Sequence, residues 1–179
     1  KEWVKYMSLD YGLDMLACYW FAIDSQGNEY CYKELYQNEL IISEAAKRIL
    51  EVNGDDKIKY TYGPPDLWNR RNDTGKSAYE IFRENGVILT KSSNDRVQGW
   101  YAMKEHLKVV KTRDEQTGEP IKTSKLKFFA NCKNAIRTIP QLQYDEKHPN
   151  DTAREPHEIT HSPDAIRGFC IERTKATKL

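Results

Sequence analysis

Apolar and aromatic residues alternate densely with polar ones at the start of the chain, a period-two pattern that predicts three consecutive strands. They are WVKYMSLD, MLACYWFAID and NEYCYKELY, with SQGN as the hairpin turn between the second and third. The period then changes. IISEAAKRILEVNG carries its apolar residues at helical spacing, with Ser43 a candidate N-cap and Gly54 a candidate stop. DKIKYTYGPPD predicts a short strand ended by a proline pair, TGKSAYEIFRENG a second amphipathic helix closed by Gly86, and GVILTKS a further strand. A third helix over roughly Asp95 to Leu107 leads into the polar run VVKTRDEQTGEPIKTSKLKFF, whose TGEP turn predicts a β-hairpin excursion at 108–127. A helix near Asn131 to Thr138, an extended QLQYDE, a polar loop and a last helix from about Ser162 complete the chain.

An antiparallel meander followed by alternating helices and strands implies an α/β fold, with a mixed sheet flanked by helices. No repeat, low-complexity tract or linker interrupts residues 1–179, which are expected to form a single domain. A hydrophobic content of 39% excludes wholesale disorder at this length. The formal net charge of +1 means that any nucleic-acid contact has to rest on local clusters. Cys18, Cys31, Cys132 and Cys170 form no C-x-x-C pair, which argues against a structural zinc site or a disulfide framework and points to a reducing compartment. No apolar run approaches the roughly 20 residues that span a bilayer, so no membrane is expected. The chain opens on Lys1 rather than methionine, and a fragment of a longer polypeptide is the expectation.

Two short motifs invite chemistry and fall short of it. TGKS at Thr74 to Ser77 ends like a phosphate-binding loop, but Arg70 stands where G-x-x-x-x-G-K-[ST] needs its first glycine. Thr74 or Asp73 as a helix cap is the plainer reading. HEITH at His157 to His161 spells H-E-x-x-H, the zinc-peptidase pattern. That chemistry needs two continuous helical turns to stack both histidines, and Pro163 lies only two residues beyond His161. A third ligand is hard to find, since only Asp164 and Glu172 follow closely. His106, His148 and His157 are expected to have no catalytic role.

Three acids stand at element ends. Asp10 closes the first strand, Asp66 follows the GPP that ends the fourth, and Asp164 falls in the first turn of the last helix, behind Ser162 as N-cap and Pro163. Convergence at one edge of a mixed sheet would suit two hard divalent cations, which prefer oxygen ligands and can clamp a phosphodiester. Acids at helix and strand ends also serve as simple caps and dipole partners.

SLDYG, YKELY, PPDLWNRRNDTGKSAYEIFRENG, SSNDRVQGWYAMKEHL, FFANCKNAIRTIPQLQYDEKHP and the final H-x-x-D-A-I-R together resemble the C-terminal nuclease domain of phage large terminase subunits. The likeness runs through nearly the whole chain in order. It implies a ribonuclease H-like fold and a metal-dependent endonuclease that cuts concatemeric viral DNA during genome packaging, using two Mg²⁺ or Mn²⁺ ions. It makes Asp10 the acid central to both metals, Asp66 the second acid with Asp73 as alternative, and Asp164 the last. His161 would be a ligand or an orienter of the attacking water, and Asp14 a supporting ligand. The sequence departs from the family at Thr160, where relatives often carry an acid, and at Gly168, where many carry an aromatic residue.

The resemblance also implies double-stranded DNA as substrate and an N-terminal ATPase domain on the same polypeptide. Small terminase subunit and portal protein would be partners, and the host cell cytoplasm the location. Arg70, Arg71, Lys76, Arg96 and Lys104 cluster in the segments after Asp66 and are candidates for holding the DNA backbone, although such residues also form ordinary solvated faces. Apart from the resemblance, the position and turn composition of the excursion at 108–127 leave open whether its hairpin lies over the site and gates it. A non-catalytic ribonuclease H-like DNA-binding or docking module, with structural acids, is the competing reading.

Overall fold

In MLACYWFAI the predicted alternation gives way to continuous burial from Leu16 to Ala22, and the sheet supplies the reason. In the computed structural model, which describes residues 3–12, 14–70, 72, 75–114 and 116–176, this segment is a central strand covered on both faces. Strand β2 (Met15–Ile23) pairs antiparallel with β1 (Val4–Tyr11) on one side and β3 (Glu29–Asn38) on the other. On the far side of β1, β4 (Ile58–Gly63) joins in parallel, and β5 (Thr90–Lys91) joins β4. Beyond β3 lies β8 (Leu126–Phe128), also parallel, so the six-stranded order is β5-β4-β1-β2-β3-β8. The architecture is α/β with a mixed sheet, antiparallel in its first three strands and parallel at both flanks.

Side-chain parity divides the core. Leu16, Cys18 and Trp20 face α1 (Ile42–Asn53) and α2 (Ala78–Glu84), in one cluster with Met7, Leu9 and Tyr11 of β1. Ala17, Tyr19 and Phe21 face the opposite layer of α3 (Arg96–Leu107), α4 (Lys133–Thr138) and α5 (His161–Ala176). Tyr6 and Ser8 of β1 point the same way, and the period of two carries Asp10 to that face as well. The ring of Phe169 on α5 stacks on Phe21 with centroids 3.8 Å apart and planes 2° from parallel. One residue earlier, Gly168 brings α5 close to β1: an added Cβ would stand 3.0 Å from Ser8 Oγ. An aromatic side chain has no room there.

Several expected ends fall elsewhere. Helix α1 begins at Ile42, so Ser43 lies inside it, and the Glu44 carboxylate accepts the Ile41 N–H at 3.2 Å. Gly54 does stop it, at φ +57°. Helix α2 is capped by Ser77, which accepts the Glu80 N–H at 3.2 Å while Glu80 accepts the Ser77 N–H at 2.7 Å. Thr74 and Asp73 lie outside the described residues. The polar excursion forms a separate two-stranded hairpin of β6 (Val110–Arg113) and β7 (Pro120–Thr123). Its base lies against the β2–β3 turn and Lys125, at the opposite end of the sheet from Asp10. It therefore does not arch over the acids.

The motif HEITH is split between two elements. His157–Ile159 form a 3-10 turn, and α5 starts at His161, with the Asp164 N–H donating to the Thr160 carbonyl at 2.9 Å. Pro163 sits buried in the first turn of α5, where its missing N–H removes no helical bond. Ser162 is not a cap; its Oγ lies 2.6 Å from the Tyr19 hydroxyl. The Phe169 ring is fully buried, so Phe169→Ala is expected to lower unfolding stability by about 3–5 kcal/mol in urea titration. A change below about 1 kcal/mol would show that α5 is not held through this stack.

Candidate metal centre

Asp10 stands next to the end of β1, opposite Ala17 of β2. The neighbouring parallel strand β4 stops at Gly63, and the prolines that follow turn the chain into a short 3-10 segment, Pro65–Trp68, anchored by buried Leu67. This places Asp66, exposed, beside the same sheet end. Asp164 enters from the first turn of α5. All three carboxylates line one polar cavity of about 450 Å³, together with Ser92, Arg96, Arg154 and Arg167.

Burial pushes the Asp10 carboxyl up from its ordinary value, and the charges of Asp164 and Asp66 push it further, against the hydrogen bond from His161. The Asp66 carboxylate makes no hydrogen bond or ion pair among the described residues, while its backbone carbonyl accepts the Asn69 N–H at 3.0 Å. Three carboxylates thus meet where three elements converge, a donor set whose oxygens fit hard divalent cations such as Mg²⁺ or Mn²⁺.

Arginines answer part of that charge. Arg96 of α3 donates to Asp164 at 3.1 Å and pairs with Asp151 at 3.1 Å, while Arg167 donates to Asp164 at 3.0 Å. Both guanidinium groups lie over the Trp100 ring, at 5.4 and 5.1 Å. Gly99 leaves space for the Arg167 stem, since a Cβ there would come within 2.7 Å of Arg167 Cγ. Arg154 lines the same cavity, exposed, with no carboxylate partner among the described residues.

Of the residues expected to hold DNA, Arg96 is therefore in the cavity but already ion-paired. Arg70 is exposed on the segment after Asp66, bridged to Ser77. Lys76 is exposed and pairs with Glu84 at 2.8 Å. Lys104, two turns along α3 from Arg96, lies over the Tyr144 ring at 4.9 Å in a separate depression. Arg71 lies outside the described residues, as does Asp73, the alternative second acid.

His161 is buried between two carboxylates. Its Nδ1 is 3.0 Å from Asp10 Oδ2, and its Nε2 is 3.2 Å from Asp14 Oδ2. The same Asp14 oxygen is 3.4 Å from Nδ1 of His157. The hydrogen bond to Asp10 raises the His161 pKa above its ordinary 6.5, burial opposes this, and the charges of Asp10 and Asp14 add to it. Slight burial tends to raise the Asp14 value, but its own backbone N–H and the two imidazoles hold it below the usual carboxylate range.

Arg154, Arg167, Asp151 and His157 were not among the expected site residues. Arg167 could have been found, three residues after Asp164 on one helical face. Asp151 and Arg154 lie in a polar loop whose composition carries no such signal.

A mixed sheet in this order, with an acidic cavity at the end of its first strand, defines a ribonuclease H-like α/β domain. Among solved structures, the chain is similar to the nuclease domain of the large terminase of bacteriophage SPP1, determined with bound manganese. The match has a TM-score of 0.60 and covers 96% of this chain and 86% of that one, at 16% identity. At that identity the likeness establishes the fold. No family model matches the chain, and no curated protein matches it.

The raised His161 value sets a pH dependence in metal-free buffer. A group whose folded-state pKa is raised contributes stability that is complete below its unfolded value and lost as pH climbs through the folded one. Asp10, raised from 3.8, acts in the same direction at lower pH. In EDTA, the thermal midpoint of the wild type is expected to exceed that of His161→Asn by more at about pH 6 than at about pH 9. A gap that widens toward alkaline pH would contradict the carboxylate clamp.

Proposed function

We propose that the chain is a divalent-metal-dependent endodeoxyribonuclease, the cutting domain of a viral DNA-packaging motor. The observation that carries this reading is the convergence of Asp10, Asp66 and Asp164 on one cavity, in a fold shared with a terminase nuclease domain. When bound there, two Mg²⁺ or Mn²⁺ ions would supply an activated water and charge neutralisation for the leaving oxygen of a phosphodiester. Asp10 at the sheet end, Asp164 at the helix start and Asp66 after the proline pair are the residues that would hold them. His161 presents Nδ1 to the Asp10 side, as a ligand or as the group that orients the attacking water. Arg96 and Arg167 both donate to Oδ1 of Asp164, which holds its rotamer and leaves Oδ2 to the cavity's chemistry. Arg154, free of a carboxylate, is the guanidinium able to take a phosphate oxygen at the cavity mouth.

The substrate in this reading is double-stranded DNA, gripped weakly and without regard to sequence. Attachment to an ATPase domain on the same polypeptide would raise its effective concentration. A small terminase subunit and a portal protein complete the proposed assembly, in the host cell cytoplasm; no helix among the described residues is long and apolar enough to cross a membrane. Residues 1–179 act as a single domain. The competing reading, a non-catalytic DNA-docking module, draws on the double arginine grip on Asp164, which would then be a structural ion pair.

Plasmid nicking in Mn²⁺ separates the two. Asp10→Ala and Asp164→Ala are each expected to slow cleavage by about 100-fold or more while leaving the fold intact by circular dichroism. Absence of cleavage by the wild type at high protein concentration, or unchanged cleavage in both variants, sinks the nuclease assignment. Arg154→Ala is expected to weaken DNA binding and to lower the slope of log K against log salt by roughly one. An unchanged slope would remove Arg154 from the phosphate contact.

A further inference from the structure

Beside the acidic cavity, on the other side of the His161 ring, three donor atoms converge that the nuclease reading does not use together. Asp14 Oδ2 lies 3.4 Å from His157 Nδ1 and 3.2 Å from His161 Nε2, and a donor atom of each of the three residues lies within 4.8 Å of the other two. We propose that they form a separate binding site for a borderline transition-metal cation of the Zn²⁺ or Co²⁺ class, with Asp10 as the carboxylate that orients His161 from behind.

The spacing fits such an ion. Metal–nitrogen and metal–oxygen distances of about 2.0–2.1 Å in a tetrahedron place neighbouring ligand atoms about 3.3–3.4 Å apart. The two carboxylate–imidazole separations are 3.2 and 3.4 Å, so an ion can enter with little movement of either pair. The rings of His157 and His161 stand 82° apart with centroids 4.7 Å from each other, turning one nitrogen of each toward the same carboxylate oxygen. Two imidazoles and one carboxylate prefer zinc-like ions over magnesium, whose ligands are oxygen.

The supporting shell is already in place. His161 Nδ1 lies 3.0 Å from Asp10 Oδ2, so Nδ1–H can donate to Asp10 while an ion takes the place of the proton between Nε2 and Asp14 Oδ2. This is the carboxylate–histidine–metal relay that fixes tautomer and ring direction in many metal sites. Gly12 provides space on the third side, since a Cβ there would stand 2.6 Å from Asp14 Oδ1. His157 and Asp14 are exposed, which leaves an open position for water.

The structure also shows how H-E-x-x-H residues meet without a continuous helix. The 3-10 turn over His157–Ile159 and the start of α5 bring the two rings together, and the third ligand comes from far upstream, in the β1–β2 turn.

This site stands without the nuclease reading, but one consequence rests on it. An ion on Nε2 that leaves the proton on Nδ1 denies His161 to the acidic cavity, so Zn²⁺ should oppose Mn²⁺-dependent cleavage.

Cobalt titration of the chain tests the site directly. The expected result is one Co²⁺ per chain with the intense visible absorption of four- or five-coordinate cobalt, displaced by Zn²⁺. His157→Ala should weaken that binding by about 100-fold or more, and Asp164→Ala should leave it in place. Equal binding by wild type and His157→Ala overturns the proposal. So does a six-coordinate spectrum that disappears in Asp164→Ala, which would assign the ion to the acidic cavity. In the cleavage assay, Zn²⁺ should inhibit the wild type and lose at least tenfold in potency against His157→Ala. A wild type that binds cobalt as described but cuts no DNA would refute the nuclease reading and leave the metal site standing.

Discussion

The hydroxyl of Ser8 donates 2.6 Å to the carbonyl of Ala165, a buried bond between β1 and α5 that sets how deeply the helix lies on the sheet. Gly168 permits that depth, and the Phe21–Phe169 stack holds it one residue further along. Everything at the candidate centre follows from this contact. Asp10 is two residues beyond Ser8 and on the same face of β1; Asp164 is one residue before Ala165. An approach wider by a methyl group would draw apart the acids of strand and helix, and with them the imidazole that bridges Asp10 and Asp14.

Charge is the second constraint. Burial disfavours the ionised form of Asp10, and the nearby charges of Asp164 and Asp66 add to it, so its carboxyl is pushed upward. The chain compensates unevenly. Arg96 and Arg167 answer Asp164, His161 answers Asp10, and Asp66 stays open to solvent. The far end of the sheet holds a second charge cluster, this one buried. There Glu29, entirely buried, lies 2.5 Å from Nδ1 of His106, with Lys125 at 3.4 Å and Thr174 on the other side of the ring. One end is a buried charge cluster, and the other leaves Asp66 and Arg154 facing water without an ion-pair partner among the described residues.

Much of the fold was legible because its causes are local. The strand–turn–strand meander, the stop at Gly54 and the end of the fourth strand at the proline pair each depend on a few adjacent residues, and each formed as expected. Helix starts were less legible: Ile41 and Ser77, not Ser43 and Thr74 or Asp73, precede the first turns, because the capping carboxylates of Glu44 and Glu80 act from inside the helix. The hairpin was visible in its turn residues, yet its place at the end of the sheet away from Asp10 was not, since that depends on which end of β3 receives β8.

From the sequence alone came the alternation that makes β1, β2 and β3, the acids at element ends, and a proline that forbids one continuous helix through HEITH and its sequel. These are properties of neighbours along the chain, set by backbone sterics and side-chain periodicity. Only the tertiary structure decided that Asp14 meets His157 and His161, that Arg96 spends its charge on Asp151 and Asp164, and that Arg154 opens into the cavity. Those pairings join residues scores of positions apart. They are fixed by how far one helix sinks onto one strand, a distance that no local pattern encodes.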